Sequence, residues 1–115
     1  MNDIKKKALV LAGSRGIGKA IANALEENAC LDVDALSSQQ LDTSDLDACM
    51  NLCNYYKSVD VLVLNTGGPP AKNFADISLD DWNKYHNQLF LGFAIILQNI
   101  KINDGGFVFL ISSYN

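Results

Sequence analysis

The stretch KALVLAGSRGIGKAIANAL, residues 7–25, decides how the rest of the chain is read. Residues 6–12 form a compact apolar run of strand length, and the glycines after it break it off. From Ile17 the apolar positions switch to helical spacing, with Ile17, Ala20, Ile21, Ala24 and Leu25 on one stripe. A strand, a glycine-broken turn and a helix in that order place free backbone N–H groups and the positive end of a helix dipole at the mouth of the turn. AGSRGIG therefore reads as an anion cradle of the kind that holds a pyrophosphate; the alternative is a plain strand-to-helix turn. Arg15, the single arginine of the chain, stands inside it.

Working outward, CLDVDAL at residues 30–36 reads as a short second strand. In SSQQLDTSDLDACMNLC, Thr43 or Ser44 is expected to cap a helix carrying Leu46, Met50 and Cys53. DVLVL at residues 60–64 is a buried strand, and NTGGPP ends it. Residues 80–100 carry the longest helical pattern, with Ser78 as its cap and Asp80 and Asp81 at the positive end of its dipole. NDGG closes that helix, and FVFLIS is the last strand. Apolar strands alternating with helices predict an α/β fold, a doubly wound parallel sheet with helices on both faces. No internal linker divides residues 1–115, which read as a single domain. A parallel strand before Asn115 calls for a further covering crossover, so the sequence reads as the N-terminal portion of something longer, or as a truncated product.

Composition narrows the function classes. The 115 residues are 49% hydrophobic and 19% charged, ordinary for a folded domain. A net charge of −4 gives no basic face for nucleic acid, and no window approaches the about 18 apolar residues of a membrane span. A cytoplasmic protein is expected. Cys30, Cys49 and Cys53 with one histidine make no metal pattern, and they read as buried reduced thiols.

These motifs, in this order, resemble those of the short-chain dehydrogenase/reductase family. The first turn of that family reads Thr-Gly-x-x-x-Gly-x-Gly. Gly16 and Gly18 match its last two glycines, while Leu11 and Ala12 fall on its Thr-Gly, and Gly13 is expected to restore the missing flexibility. The resemblance implies a Rossmann-type NAD(P)-binding domain with cofactor contacts from Gly13, Ser14, Arg15, Gly16, Ile17 and Gly18. LDTSD resembles the segment whose aspartate contacts adenine, implying Asp42 with the Thr43 amide beside it. VLNTGG resembles Asn-Asn-Ala-Gly, implying Asn65 as a brace of the sheet and Thr66 and Gly67 beside the cofactor ribose. GGFVFLISS resembles the fifth strand, implying Ser113 as the catalytic serine that positions a substrate carbonyl. In NADP-preferring members a basic residue before the second motif glycine pairs with the 2′-phosphate, and Arg15 holds that place. The second strand ends in Leu36, Ser37 and Ser38 with no carboxylate for the ribose hydroxyls, so NADP(H) is expected over NAD(H), with Ser37 in the site.

The chain also departs from the family. Only SSQQ separates the second strand from LDTSD, as in compact members. The asparagine of the Asn-Ser-Tyr-Lys tetrad falls on Leu89, and the Tyr-x-x-x-Lys pair would lie beyond Asn115; Tyr114 does not replace it. NTGGPP resembles a subgroup that lacks the helix asparagine, and Pro69 and Pro70 stiffen its loop. Phe74, Trp82, Tyr85 and Phe90 read as core or interface residues, and the resemblance to a family of dimers and tetramers puts Trp82 and Phe93 at a subunit face. Three functions follow as expectations. The first is an oxidoreductase moving a hydride between NADP(H) and a small carbonyl or alcohol. The second is a degenerate or truncated nucleotide-binding module without turnover, and the third is a bare structural domain.

Overall fold

The computed structural model of the chain describes residues 5–68 and 70–112. Four strands, β1 (Lys7–Val10), β2 (Asp32–Ala35), β3 (Ser58–Leu64) and β4 (Lys101–Leu110), make one parallel sheet in the order β2-β1-β3-β4. Helix α1 (Gly16–Asn28) carries the chain from β1 to β2, and α2 (Leu46–Tyr55) carries it from β2 to β3. A 3₁₀ turn at Phe74–Asp76 precedes α3 (Leu79–His86), a π-helical turn at Asn87–Leu91 and α4 (Gly92–Asn99), which leads into β4. From β1 the chain winds outward to β2 and then back across to β3, so the sheet is doubly wound as expected.

The period-two alternation of the strands sorts the core into two layers. Ala8 and Val10 face the same way as Val61 and Val63 and pack with Ala22 of α1. Leu9 and Leu11 face the other way with Leu62 and Leu64, against Cys49 and Cys53 of α2 and Phe93 and Ile96 of α4. Both faces of β1 and β3 are covered, which is why they read as unbroken apolar runs. Each fully buried leucine or isoleucine, such as Leu62 or Ile96, contributes about 1.5–3 kcal/mol. Among the described residues β4 is a sheet edge, with Phe107, Val108, Phe109 and Leu110 exposed.

Several local expectations change in three dimensions. The packed face of α1 runs through Gly18 and Ala22, with Ile21 and Leu25 beside them, while Ile17 is 65% exposed. The cap of α2 is Asp45, whose carboxylate accepts from the Ala48 N–H at 3.1 Å; Thr43 and Ser44 are engaged elsewhere. Ser78 does cap α3, in a reciprocal capping box with Asp81. NDGG does not close the helix, which ends at Asn99, but lies inside β4. Lys101 and Ile102 already pair with Ser58 and Val59, residues 103–106 then stand against Asp60 alone, and pairing resumes at Val61↔Phe107. Phe93 lies in the protein's own core rather than at a subunit face, while Phe74, Trp82 and Phe90 are exposed. Cys49 and Cys53 serve as small buried hydrophobes, whereas Cys30, expected to be buried with them, is exposed in the turn after α1. Burial pushes the Cys49 thiol up to about 11, and Cys53 shifts in the same direction.

Asp60 organises the bulge. Its carboxylate accepts from the Lys7 backbone N–H at 2.8 Å and from the Asn103 amide at 3.2 Å, joining β1, β3 and β4. Those two hydrogen bonds favour the ionised form and hold its pKa below the usual 3.8. A carboxylate whose pKa is lowered by folding stabilises the protein above its unfolded-state pKa, and that contribution fades as pH falls through the folded-state value. The Asp60→Asn variant is expected to be less stable than the wild type at neutral pH. Its stability should fall less steeply between about pH 5 and pH 2, as measured by urea unfolding across that range.

Candidate functional site

At the carboxyl ends of β1 and β3 the chain leaves in opposite directions, to α1 on one face and toward α3 on the other. A crevice opens at such a switch point, and ligands of open α/β sheets bind there. Three cavities meet at it, all sharing Asn65 and Thr66. One, of about 260 Å³, is lined by the glycine turn, Ser38 and residues 65–67. A second, of about 280 Å³, extends past Ser38 to Asp42, Thr43, Lys84 and Gln88. The third, of about 460 Å³, extends past Ile17 and Gly68 to Leu89, Leu110 and Ser112.

The turn is built by close backbone contact. A Cβ at residue 18 would lie 2.0 Å from the Ala12 carbonyl oxygen, so only glycine lets α1 start against the end of β1. Asn65 reaches across from the end of β3, its amide 3.4 Å from the same carbonyl. Gly13 does not supply the flexibility expected of it. Its backbone N–H bonds to Leu36 at 2.8 Å, and a Cβ there would meet the Ala35 side chain at 2.8 Å, so glycine serves packing against β2. The left-handed conformation falls on Ala12 itself, at φ +50, and again on Gly16 at φ +62. Ser14, Arg15, Gly16 and Ile17 form the exposed lip that lines the cavity, with Gly13 and Gly18 buried behind it.

The electrostatics of this lip differ from those at the starts of α2 and α3. Helices α2 and α3 carry Asp47 and Asp80 with Asp81 in their first turns, whereas α1 has no acidic residue there and has Arg15 at its N-cap. Arg15 has extended backbone and makes no side-chain capping bond. The 260 Å³ cavity has no carboxylate in its lining. Free N–H groups, a positive dipole end and a guanidinium without a partner among the described residues, in an acid-free lining, are the donor set for a phosphate ester.

The second cavity collects the residues expected at the adenine. Asp42 accepts from both the Ser44 N–H at 2.9 Å and the Ser44 hydroxyl at 2.7 Å, which holds its pKa below the usual carboxylate value. The Thr43 hydroxyl is buried and donates to the Gln88 carbonyl at 2.8 Å. Ser37 is turned into its own loop, exchanging hydrogen bonds with Gln40, and it is Ser38 that lines the cleft next to Arg15. Leu89 lines the third cavity in the π-helical turn, at the place the resemblance assigns to asparagine. Ser113, expected as the catalytic serine, lies outside the described residues, as does Pro69. Ser38, Lys84 and Gln88 were not singled out by sequence; no motif marks them, and the tertiary fold alone brings them to the cleft. Among the described residues no group of three His, Cys, Asp or Glu side chains could hold a metal ion, and no helix is long and apolar enough to cross a membrane.

No family model matches the chain. An uncharacterized oxidoreductase, YvrD of Bacillus subtilis, is 29% identical over a 105-residue alignment that covers 71% of this chain and 40% of that protein. Among solved structures, a small-chain dehydrogenase superposes with a TM-score of 0.79 at 25% identity over 93% of this chain and 59% of its own. A small-chain dehydrogenase in complex with NADPH gives 0.78 at 25% identity, over 93% and 50%. A short-chain dehydrogenase from Burkholderia cenocepacia J2315 in complex with NADP gives 0.74 at 26%, over 92% and 54%. The chain thus spans 40% of the curated relative and between 50% and 59% of these three structures.

The strained alanine in the turn has a measurable consequence. A left-handed L-residue costs about 1–2 kcal/mol, and the extra chain entropy of glycine offsets about half of that, so the Ala12→Gly variant is expected to gain about 0.5–1 kcal/mol. Thermal unfolding should show a melting temperature a few degrees higher. A melting temperature equal to or below that of the wild type would show that residue 12 is not under strain.

Proposed function

We propose that this chain, a short-chain dehydrogenase/reductase by fold and by the order of its motifs, is the cofactor-binding portion of an NADP(H)-dependent oxidoreductase acting on a small carbonyl or alcohol. The observation that carries this reading is the bare, acid-free start of α1 with Arg15 at its lip, opening into the crevice at the switch point of the sheet. The amides at the start of α1 would hold the cofactor diphosphate, and Arg15 with Ser38 would receive the 2′-phosphate. Asp42 and the Thr43 segment would border the adenine, and Asn65, Thr66 and Gly67 would border the nicotinamide-side ribose. The bound cofactor supplies a hydride donor or acceptor, and the protein supplies orientation and exclusion of water. Ser113 is assigned the substrate carbonyl on the resemblance. The NADPH and NADP complexes among the similar structures support the cofactor class. The free thiols of Cys30, Cys49 and Cys53 support a reducing compartment, for which we propose the cytoplasm, and the family resemblance supports a homodimer or homotetramer.

A second reading, a nucleotide-binding module without turnover, is favoured by one observation: Leu89 offers no polar group where the resemblance places a water-holding asparagine. Binding and turnover are therefore tested separately. In fluorescence titrations NADPH should bind more tightly than NADH. Loss of a charge-assisted phosphate contact in the Arg15→Ala variant should weaken NADPH by about 10- to 100-fold while leaving NADH nearly unchanged. Tighter binding of NADH by the wild type would overturn the phosphate role of Arg15. Tight NADPH binding without reduction of any carbonyl across a substrate panel would select the module over the enzyme.

A further inference from the structure

Residues 65–68 leave β3 as Asn-Thr-Gly-Gly; Asn65 and Thr66 line all three lobes of the cleft, and Gly67 and Gly68 line two each. Gly67 and Gly68 have open space where a Cβ would be, so side-chain packing does not hold them, and a glycine pair carries the largest backbone entropy to freeze. Among the described residues the side chain that fastens this segment is Gln88. Its Nε2 donates to the Thr66 hydroxyl at 3.0 Å and to the Gly67 carbonyl at 2.6 Å. The orientation of the amide follows from its partner: a carbonyl only accepts, so the nitrogen must face Gly67.

Gln88 is itself held from the opposite side. The buried Thr43 hydroxyl donates to the Gln88 carbonyl at 2.8 Å. The helix makes this possible by widening: the Gly92 N–H bonds to the Asn87 carbonyl in the π-helical turn. The Thr43 backbone also presses on that turn, since a Cβ at residue 92 would lie 2.2 Å from the Thr43 carbonyl oxygen. A continuous hydrogen-bonded line thus runs from Thr43 through Gln88 to Thr66 and Gly67, across the cleft from the Asp42 lobe to the end of β3. Leu89, one residue on, contributes no donor to it.

We propose that Gln88 is a positioning residue whose side-chain amide sets the 66–67 segment in the conformation that receives the cofactor. The role rests on the NADP(H) reading of the cleft, and it has a readout that does not depend on turnover. Gln88→Glu is nearly isosteric. Ionised, it sets a carboxylate oxygen against the Gly67 carbonyl; protonated, it regains one donor. Gln88→Leu has no proton to regain.

The test combines amide hydrogen exchange in the cofactor-free protein with titration of NADP⁺, at pH 8 and at pH 5. In the Gln88→Glu protein at pH 8, exchange at residues 66–68 should quicken by about tenfold and NADP⁺ should bind about tenfold more weakly, because the donor to the Gly67 carbonyl is lost and a carboxylate oxygen opposes it, even though the Thr66 hydroxyl can turn to donate to that carboxylate. The β3 amides should stay at wild-type protection. At pH 5 the Gln88→Glu protein should recover part of both losses relative to wild type at the same pH, and Gln88→Leu should recover neither. Unchanged loop exchange and affinity in Gln88→Glu at pH 8 would overturn the proposal. So would equal loosening of loop and β3 with no recovery at pH 5, which marks a general structural role. A wild-type protein that fails to bind NADP⁺ would instead sink the cofactor reading, with the loop exchange still reporting on the latch.

Discussion

The carbonyl oxygen of Ala12 occupies the space in which a side chain at residue 18 would begin, 2.0 Å from where its Cβ would be. That contact is tolerable only because residue 18 is glycine, and it sets the distance between the end of β1 and the first turn of α1. Asn65 can reach the same oxygen from β3 because the turn is this tight. The crevice between the two strand ends is then bounded by backbone on one side and by the 65–68 segment on the other. A bulkier turn would push the free N–H groups of α1 away from the strand end, and the crevice would lose its floor.

Electrostatics complete what the backbone begins. Helices α2 and α3, which have side-chain caps, neutralise their dipoles with aspartates of their own, while α1 leaves its positive end open and adds a guanidinium. Leaving those donors without a protein partner is a cost in the absence of a ligand, as is the left-handed backbone at Ala12. Both costs fall on the same few residues, where a functional site would concentrate them.

The cleft walls depend on hydrogen bonds that cross long stretches of sequence. Thr43 to Gln88 and Gln88 to Thr66 and Gly67 connect α/β units far apart in the chain. At the far end of the sheet Asp60 does similar work for the bulge in β4, with Lys7 and Asn103. In both places a polar side chain fixes backbone that has no apolar face to anchor it.

Elements with a strong local signal were legible in the sequence. The apolar runs of β1 and β3, the glycine turn, the Ser78 cap and the strand–helix alternation each follow from a period or a residue type within a few positions. That was enough to specify a doubly wound parallel sheet and to locate the acid-free lip at the start of α1. Other features are set by partners far away in the chain. Asp45 rather than Thr43 caps α2 because Thr43 is buried against the helix at Gln88. Gly13 is a packing residue because Ala35 lies behind it, so Ala12 takes the left-handed turn. Phe93 is core because α4 crosses α2, and Gln88 meets Gly67 because the helix widens by a π turn. Local pattern reports the backbone conformation a segment prefers, whereas only the assembled sheet and its crossovers decide which buried donor meets which acceptor.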